Sequence, residues 1–557
     1  MKKLKKTIGM LLLGFLTISA LKAIVPSYLT YAETYPKLSE NKIVNNPKKT
    51  WTIKFNKPIN EDNITSKNIY IKDTEGNILS TDIKISENKK LITIIPKDSY
   101  DSSKNYYLYI SDNIKSIDNE YLTDSIEVPF LYELKDEVID ILNPEKFESE
   151  ASSNIINNGR RDYFPRWRTT VSSYLTPNSD NTFSLVDCNL MDQHIIIKNY
   201  GKNFKLIDSK SIEAELPIFG GYYSGEKYNY IAFGQLNLEE NDKKEVIRIV
   251  KYDKNFKRLG SVSLTGKQCY TTTPFDAGSG RMAENGNKLV FHTARERYTT
   301  EDGENHQSQL TIIVDTEKMQ VINNTGKFQD NHVSHSFDQY ALFDGDALLL
   351  LDHGDGYPRS VVLSKETENG YTSTDLFEIP GEIGANCTGV SIGGFEISSD
   401  NYIVAMNTID HSLVSEYTSF KMVGLDIDQR DIIVCTLPKD NMRSEPKQIT
   451  LGKYVGTDKI ASIPQIVKVS DENLVVLWQE CNLNKTNMTT TLGNLRYVII
   501  DKDGQPKGDV KSVSDFRLSD CKPIVFDNKI IWYTDSVEYG VGKPYTRTIY
   551  SMPITFK

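Results

Sequence analysis

The chain has 557 residues, a formal net charge of −10, 31 tyrosines and six cysteines. The acidic balance excludes nucleic acid and anionic membrane as bulk partners, because both repel a negative surface. The length suffices for several domains, although large all-β folds exceed the average domain size.

The N-terminus sets the expected compartment. Lys2, Lys3, Lys5 and Lys6 precede an apolar run from Ile8 to Leu21, and Thr30-Tyr31-Ala32 is a small-x-small site. This pattern predicts a signal peptide over 1–32, a mature chain from Glu33, and a secreted or cell-surface monomer. The apolar run is short for a membrane span, so none is expected after cleavage. The segment carries five lysines and no acid, so its removal takes the formal charge from −10 to −15. The first cysteine is Cys188, so no lipoprotein anchor is expected. Export permits disulfides among Cys188, Cys269, Cys387, Cys435, Cys481 and Cys521. Six small buried thiols are the open alternative.

Residues 33–132 read as a small β-domain. Trp51 to Phe55, Asn68 to Ile71, Asp82 to Ile85, Leu91 to Ile95 and Tyr106 to Ile110 are short strands between polar turns, which predicts a β-sandwich. Phe55-Asn56-Lys57-Pro58-Ile59, Gly76, Leu91 to Pro96 and Tyr106-Tyr-Leu-Tyr-Ile110 resemble the SbsA-type bacterial Ig-like domain. That resemblance implies a spacer or adhesion module of a cell-surface protein. Residues 133–165 read as a connector. A short helix is expected from Glu133 to Leu142, with Val138, Ile139 and Leu142 on one face, then a polar loop from Ser149 to Asn158.

Residues 166–557 repeat one unit: a weak strand, a tight polar turn, then a strongly apolar strand. Phe337 to Leu351 and Ile466 to Leu477 are clear copies. The apolar strands begin near Ile195, Ile231, Leu289, Leu348, Ile403, Leu474 and Ile530. Third and fourth strands often follow, as at Ile247 to Tyr252 and Leu259 to Leu264. Four antiparallel strands in each of seven units predict a seven-bladed β-propeller, because a lone sheet with two apolar faces must stack on neighbours. The fold class is therefore all-β: an Ig-like β-sandwich followed by a propeller.

In each unit the loop before the first strand and the loop between the second and third open on one face. Five of seven histidines fall between 292 and 353 and map to that face. The ligand-binding set expected there is His332, His335, Asp352, His353, Asp355 and Arg359, with Arg281, His292 and Arg295 beside them. Histidine, aspartate and arginine converging on a funnel mark a site. Arg295 and Arg359 offer planar forks for a carboxylate, sulfate or phosphate. Three uses stay open: binding a glycan or other anionic extracellular ligand, holding a divalent metal through His335, Asp352, His353 and Asp355, or hydrogen-bonding adjacent sheets together. No cofactor is called for otherwise. The enzyme alternative is an exported hydrolase or transferase on the same face. In order of parts the chain resembles the arylsulfate sulfotransferases, which would imply a funnel histidine as nucleophile, but no motif aligns residue by residue.

Overall fold

The computed structural model describes residues 42–44, 48–86, 88–101, 104–132, 139–151, 164, 167–189, 193–536 and 545–556. The expected signal segment lies outside them. The chain divides into two compact units, 1–136 and 137–557.

The first unit is an Ig-like sandwich of two sheets. Lys42–Val44, Ile126–Tyr132, Asn105–Ile110 and Ile69–Asp73 form one, and Trp51–Lys54, Leu91–Pro96 and Thr81–Ile85 the other. Alternate residues of Leu91–Pro96 are buried, as period-two strands over one core require. Trp51, Ile53, Ile71, Ile94, Leu108 and Phe130 pack between the sheets, each stabilising the unit by roughly 1.5–3 kcal/mol. The Trp51 indole donates to the Tyr100 hydroxyl at 3.1 Å, so its buried N–H is satisfied. The five expected strands are present. Ile126–Tyr132 escaped the sequence because Pro129 reads as a breaker. Its parallel neighbour Lys42–Val44 pairs only with 130–132, so Pro129 withholds no N–H from that ladder.

The second unit is built of successive antiparallel sheets, four of them plain four-stranded, consistent with a propeller. Its first sheet is Ser173–Pro177, Phe183–Asn189, His194–Tyr200 and Leu206–Glu213. The second runs from Ile218–Ser224 to Arg258–Thr265. The third is centred on Lys288–Arg297, which pairs with both Thr271–Pro274 and Arg281–Asn285. The fourth runs from Ser336–Asp344 through Ala347–Gly354 to Gly370–Glu378. The fifth runs from Val390–Ile397 through Asn401–Thr408 to Lys447–Gly452. The sixth is centred on Asn473–Asn484, and the seventh holds Ile524–Phe526, Lys529–Ser536 and Tyr545–Phe556.

Each apolar cluster of this unit's main core lies between two neighbouring sheets. Ile231 packs on Ile197, Phe291 on Ile249, and Leu348 on Val290. The series continues with Val404 against Leu351, Val476 against Val434, and Trp532 against Leu477. The last cluster joins Ile531 and Tyr533 of the seventh sheet to Phe183 and Leu185 of the first. From the second sheet to the seventh, first strands of neighbouring sheets lie side by side, and Ile524–Phe526 lies against Ser173–Pro177.

Two sequence readings need correction here. In the first sheet the apolar strand at Ile195 is third, not second; Phe183–Asn189 is second. The slip by one strand explains why Ile195 and Ile231 stand closer together than the other apolar strand starts. Within the expected connector, Ile139–Ile141 and Glu145–Ala151 are strands, both paired antiparallel with Tyr545–Phe556. The helix expected at 133–142 is therefore absent from its described part, because Ile139 packs beside Ile554 in the sixth-to-seventh core. The rest of the polar loop, 152–158, lies outside the described residues.

Candidate functional site at the funnel face

The sequence-derived residues fall into separate groups. His292, Arg295, Asp352 and His353 sit on strands, not loops. Pairing with Thr271–Pro274 keeps Lys288–Arg297 extended to its end. His332 and His335 do lie in the loop before Ser336–Asp344.

His292 and Asp352 form a buried pair between the third and fourth sheets. His292 is 0% exposed, and its Nε2 is 3.0 Å from Asp352 Oδ2. Ser336 Oγ donates to the other carboxylate oxygen at 2.6 Å. With the imidazole N–H given to the carboxylate, Nδ1 accepts from Thr311 Oγ1 at 3.0 Å. Asn331 Nδ2 in turn donates to Thr311 Oγ1 at 2.7 Å. The side-chain polar atoms of His292, Asp352 and Thr311 all have partners, which is how a buried network is stabilised.

A second group binds the fourth sheet to the fifth. His353 Nε2 is 2.9 Å from Thr388 Oγ1. Burial, with Arg430, Arg359 and Arg168 nearby, pushes the His353 imidazole down to about 3. Asp355 pairs with Arg359 and accepts the Asn386 backbone N–H at 2.7 Å. Arg359 also donates to Pro380 O at 3.0 Å and Cys387 O at 2.8 Å, and lies over the Tyr417 ring.

Arg295 is buried away from these groups and donates to the carbonyls of Cys269, Thr325 and Gly326. Burial lowers its guanidinium to about 10. His332 stacks edge-on with Phe328 and is lowered to about 4 by burial and by Arg297 and Arg295. His335 has a left-handed φ of 52°, an uncommon state for a side chain with a Cβ. Its backbone N–H donates to Gln307 O, and its carbonyl accepts from Asp355 N, both at 3.0 Å. Its ring meets His306 edge-on at 6.1 Å. Arg281 lies over the Tyr340 ring, 4.8 Å from its centroid.

The residues proposed as metal ligands are thus committed to different neighbours. Among the described residues no three His, Cys, Asp or Glu side chains are placed to hold a metal ion. All six cysteines are buried, and none forms a disulfide in the described structure. Burial pushes the Cys435 thiol up to about 12.

Sequence reasoning missed a strap, 167–171, laid across the upper ends of the inner strands. Arg168 donates to Asp338 Oδ2 at 3.0 Å and to Ile392 O at 3.3 Å, spanning the fourth and fifth sheets. Thr170 Oγ1 reaches Gly278 O of the third at 3.1 Å. Just before the strap, the Phe164 ring carries Arg430 at 4.2 Å. The strap places Trp167 edge-on to Phe337 and Phe420, with centroids 6.2 and 6.1 Å away. Phe420 sits between Glu416–Thr418 and Lys421–Val423, a hairpin inserted in the fifth sheet. Its N–H donates to Ala385 O at 2.7 Å. Trp167 is 44%, Phe420 40% and Tyr357 69% exposed. The signal available in the sequence was the run Phe164-Pro-Arg-Trp-Arg168, dense in aromatic and basic side chains.

No curated protein matches the chain. Among solved structures, it is similar to a protein of unknown function from Dyadobacter fermentans, at 10% identity and a TM-score of 0.33, over 74% of this chain and 99% of that one. It is similar to a quinoprotein alcohol dehydrogenase-like protein from Bacteroides thetaiotaomicron, at 9% and 0.34, over 86% and 97%. It is also similar to prolyl oligopeptidase B from Galerina marginata, at 11% and 0.38, over 70% of this chain and 52% of that one. The chain spans about half the length of that oligopeptidase. Residues 27–131 match the family described as bacterial Ig-like domain, so the N-terminal part of the chain is a bacterial Ig-like domain.

Proposed function

We propose that this is an exported, cell-surface or secreted binding protein in which a closed seven-bladed propeller presents a glycan-binding or anion-binding face. The Ig-like domain, of SbsA type in this reading, serves as spacer. The observation that carries the reading is the exposed aromatic pair Trp167 and Phe420, in edge-on contact, with Tyr357 exposed on the loop before Ser360–Thr367. Rigid, half-exposed aromatics supply contact area at low entropic cost. Arg168, which adjoins Trp167, Arg359 and Arg430 are each held in an ion pair, with Asp338, Asp355 and Asp428, so their side chains are preorganised. Seven successive apolar interfaces, the last returning to the first sheet, support the blade count.

The exported-enzyme reading needs an accessible nucleophile or carboxylate pair. His292 and Asp352, the pair nearest that description, are fully buried. Purified 33–557 screened on a glycan array, beside a sulfatase, sulfotransferase and glycosidase panel, tests the proposal. Saturable glycan or anion binding without turnover is the expected result. Turnover in the panel with no retained ligand would reverse it.

A further inference from the structure

Below the strap one cation stands without a hydrogen-bonded partner among the described residues. Arg281 opens the inner strand Arg281–Asn285 of the third sheet and keeps part of its surface exposed. Its Nε is buried and makes no hydrogen bond. The same is true of the hydroxyl of Tyr340, a residue 8% exposed on the adjoining inner strand. The guanidinium lies over the Tyr340 ring and near the buried Tyr174 hydroxyl of the first sheet, which feels its charge.

Two neighbouring charges have partners of their own. Arg168 is paired with Asp338. Glu284, three residues along the same strand as Arg281, accepts from Tyr230 Oη at 2.9 Å and Glu226 N at 2.8 Å. Thr170 of the strap approaches Gly280, immediately before Arg281. Gly280 has φ +66°, and a Cβ there would lie 1.9 Å from Gly220 O. Only glycine fits that backbone contact, and it fixes the start of the strand bearing Arg281.

A buried donor left unmade costs free energy, and two such donors on residues in contact through the Tyr340 ring call for an acceptor. An oxyanion suits both: it takes a guanidinium N–H and a phenolic O–H and compensates the cation. We infer that Arg281 and Tyr340 form an axial site for a sulfate, carboxylate or phosphate group. The inference rests on the funnel-face reading and deepens it, since it makes the acidic group part of that face's ligand.

Sulfate stabilises folded proteins generally by exclusion, so binding rather than melting is the readout. Isothermal titration of the full mature chain with sodium sulfate, at ionic strength held with chloride, should give one saturable site. Arg281→Gln should weaken it at least tenfold, and Tyr340→Phe about threefold. Arg281→Lys, which keeps the charge but not the fork, should fall between wild type and Arg281→Gln and guards against misfolding. Arg443→Gln, an exposed arginine elsewhere, should bind as wild type. Equal affinity in wild type and Arg281→Gln would overturn the site. A second arm uses sulfated and unsulfated dextran. Loss of sulfated-dextran binding in Arg281→Gln supports an oxyanion carried by a larger ligand. Unchanged dextran binding with no site for free sulfate overturns the axial site while leaving the funnel-face reading intact.

Discussion

At the scale of single residues, histidines that read as ligands are held by neighbouring sheets. The consequence is a pH dependence. His353 has an ordinary value of 6.5 and is pushed to about 3 in the fold by burial and then by Arg430, Arg359 and Arg168. The unfolded chain therefore binds the proton more readily. The stability this group contributes is complete above pH 6.5 and is lost as the pH falls toward 3. The slope approaches about 1.4 kcal/mol per pH unit inside that window. His332 and His411, each lowered to about 4 mainly by burial, act in the same direction. Urea midpoints at pH 7 and 5 should drop for the wild type and drop less for His353→Gln; an identical drop would refute this account. Asp352→Asn tests the pair with His292. Leaving a buried polar group without its partner costs about 1–3 kcal/mol, so the melting temperature should fall by a few degrees, and a change within 1 °C would count against the pairing.

At the scale of elements, period-two alternation made most strands legible. Strands inside the second unit are apolar on both faces, as in Ala347–Gly354, where all eight residues are buried, and such runs stand out. Glu145–Ala151 did not stand out, because Phe147 is its lone large apolar residue among charged neighbours. Charged side chains are what an outer strand uses to avoid pairing with other molecules. Its partner lies some four hundred residues away, so no local pattern could reveal it. A chain lacking 139–151 exposes the Tyr545–Phe556 edge. It should aggregate on refolding, and a synthetic 139–151 peptide added in trans should restore solubility. Normal solubility of the truncated chain would show that this edge needs no cover. Of the candidate site residues, His332 and His335 lie in the loop that the sequence assigned them, whereas the length of Lys288–Arg297 carries His292 and Arg295 on a strand. Trp167 and Phe420 come from a strap and an inserted hairpin, which carry no repeat signature.

At the scale of the whole molecule, the join of the seventh sheet to the first is where a ring would open. Arg547 donates to both oxygens of Asp535, at 2.7 and 2.8 Å, and to Asp187 of the first sheet at 3.1 Å. All three residues are almost fully buried. Arg547→Gln leaves two buried carboxylates against each other and should lower the stability of the second unit by about 3–5 kcal/mol. Sheets that melted separately in calorimetry, unaffected by this change, would mean that the seven sheets are not one cooperative body.

The central claim is that the funnel face recognises a ligand through its aromatic rim. The measurement that tests it most directly is the affinity of a glycan-array hit for wild type, for the double variant Trp167→Ala with Phe420→Ala, and for Tyr371→Ala. Tyr371 lies on the outer strand Gly370–Glu378. Hot-spot aromatics of this kind contribute about 2 kcal/mol or more each, so the double variant should bind at least a hundredfold more weakly while melting within a degree of wild type. Tyr371→Ala should bind normally. Undiminished binding by the folded double variant would contradict the account.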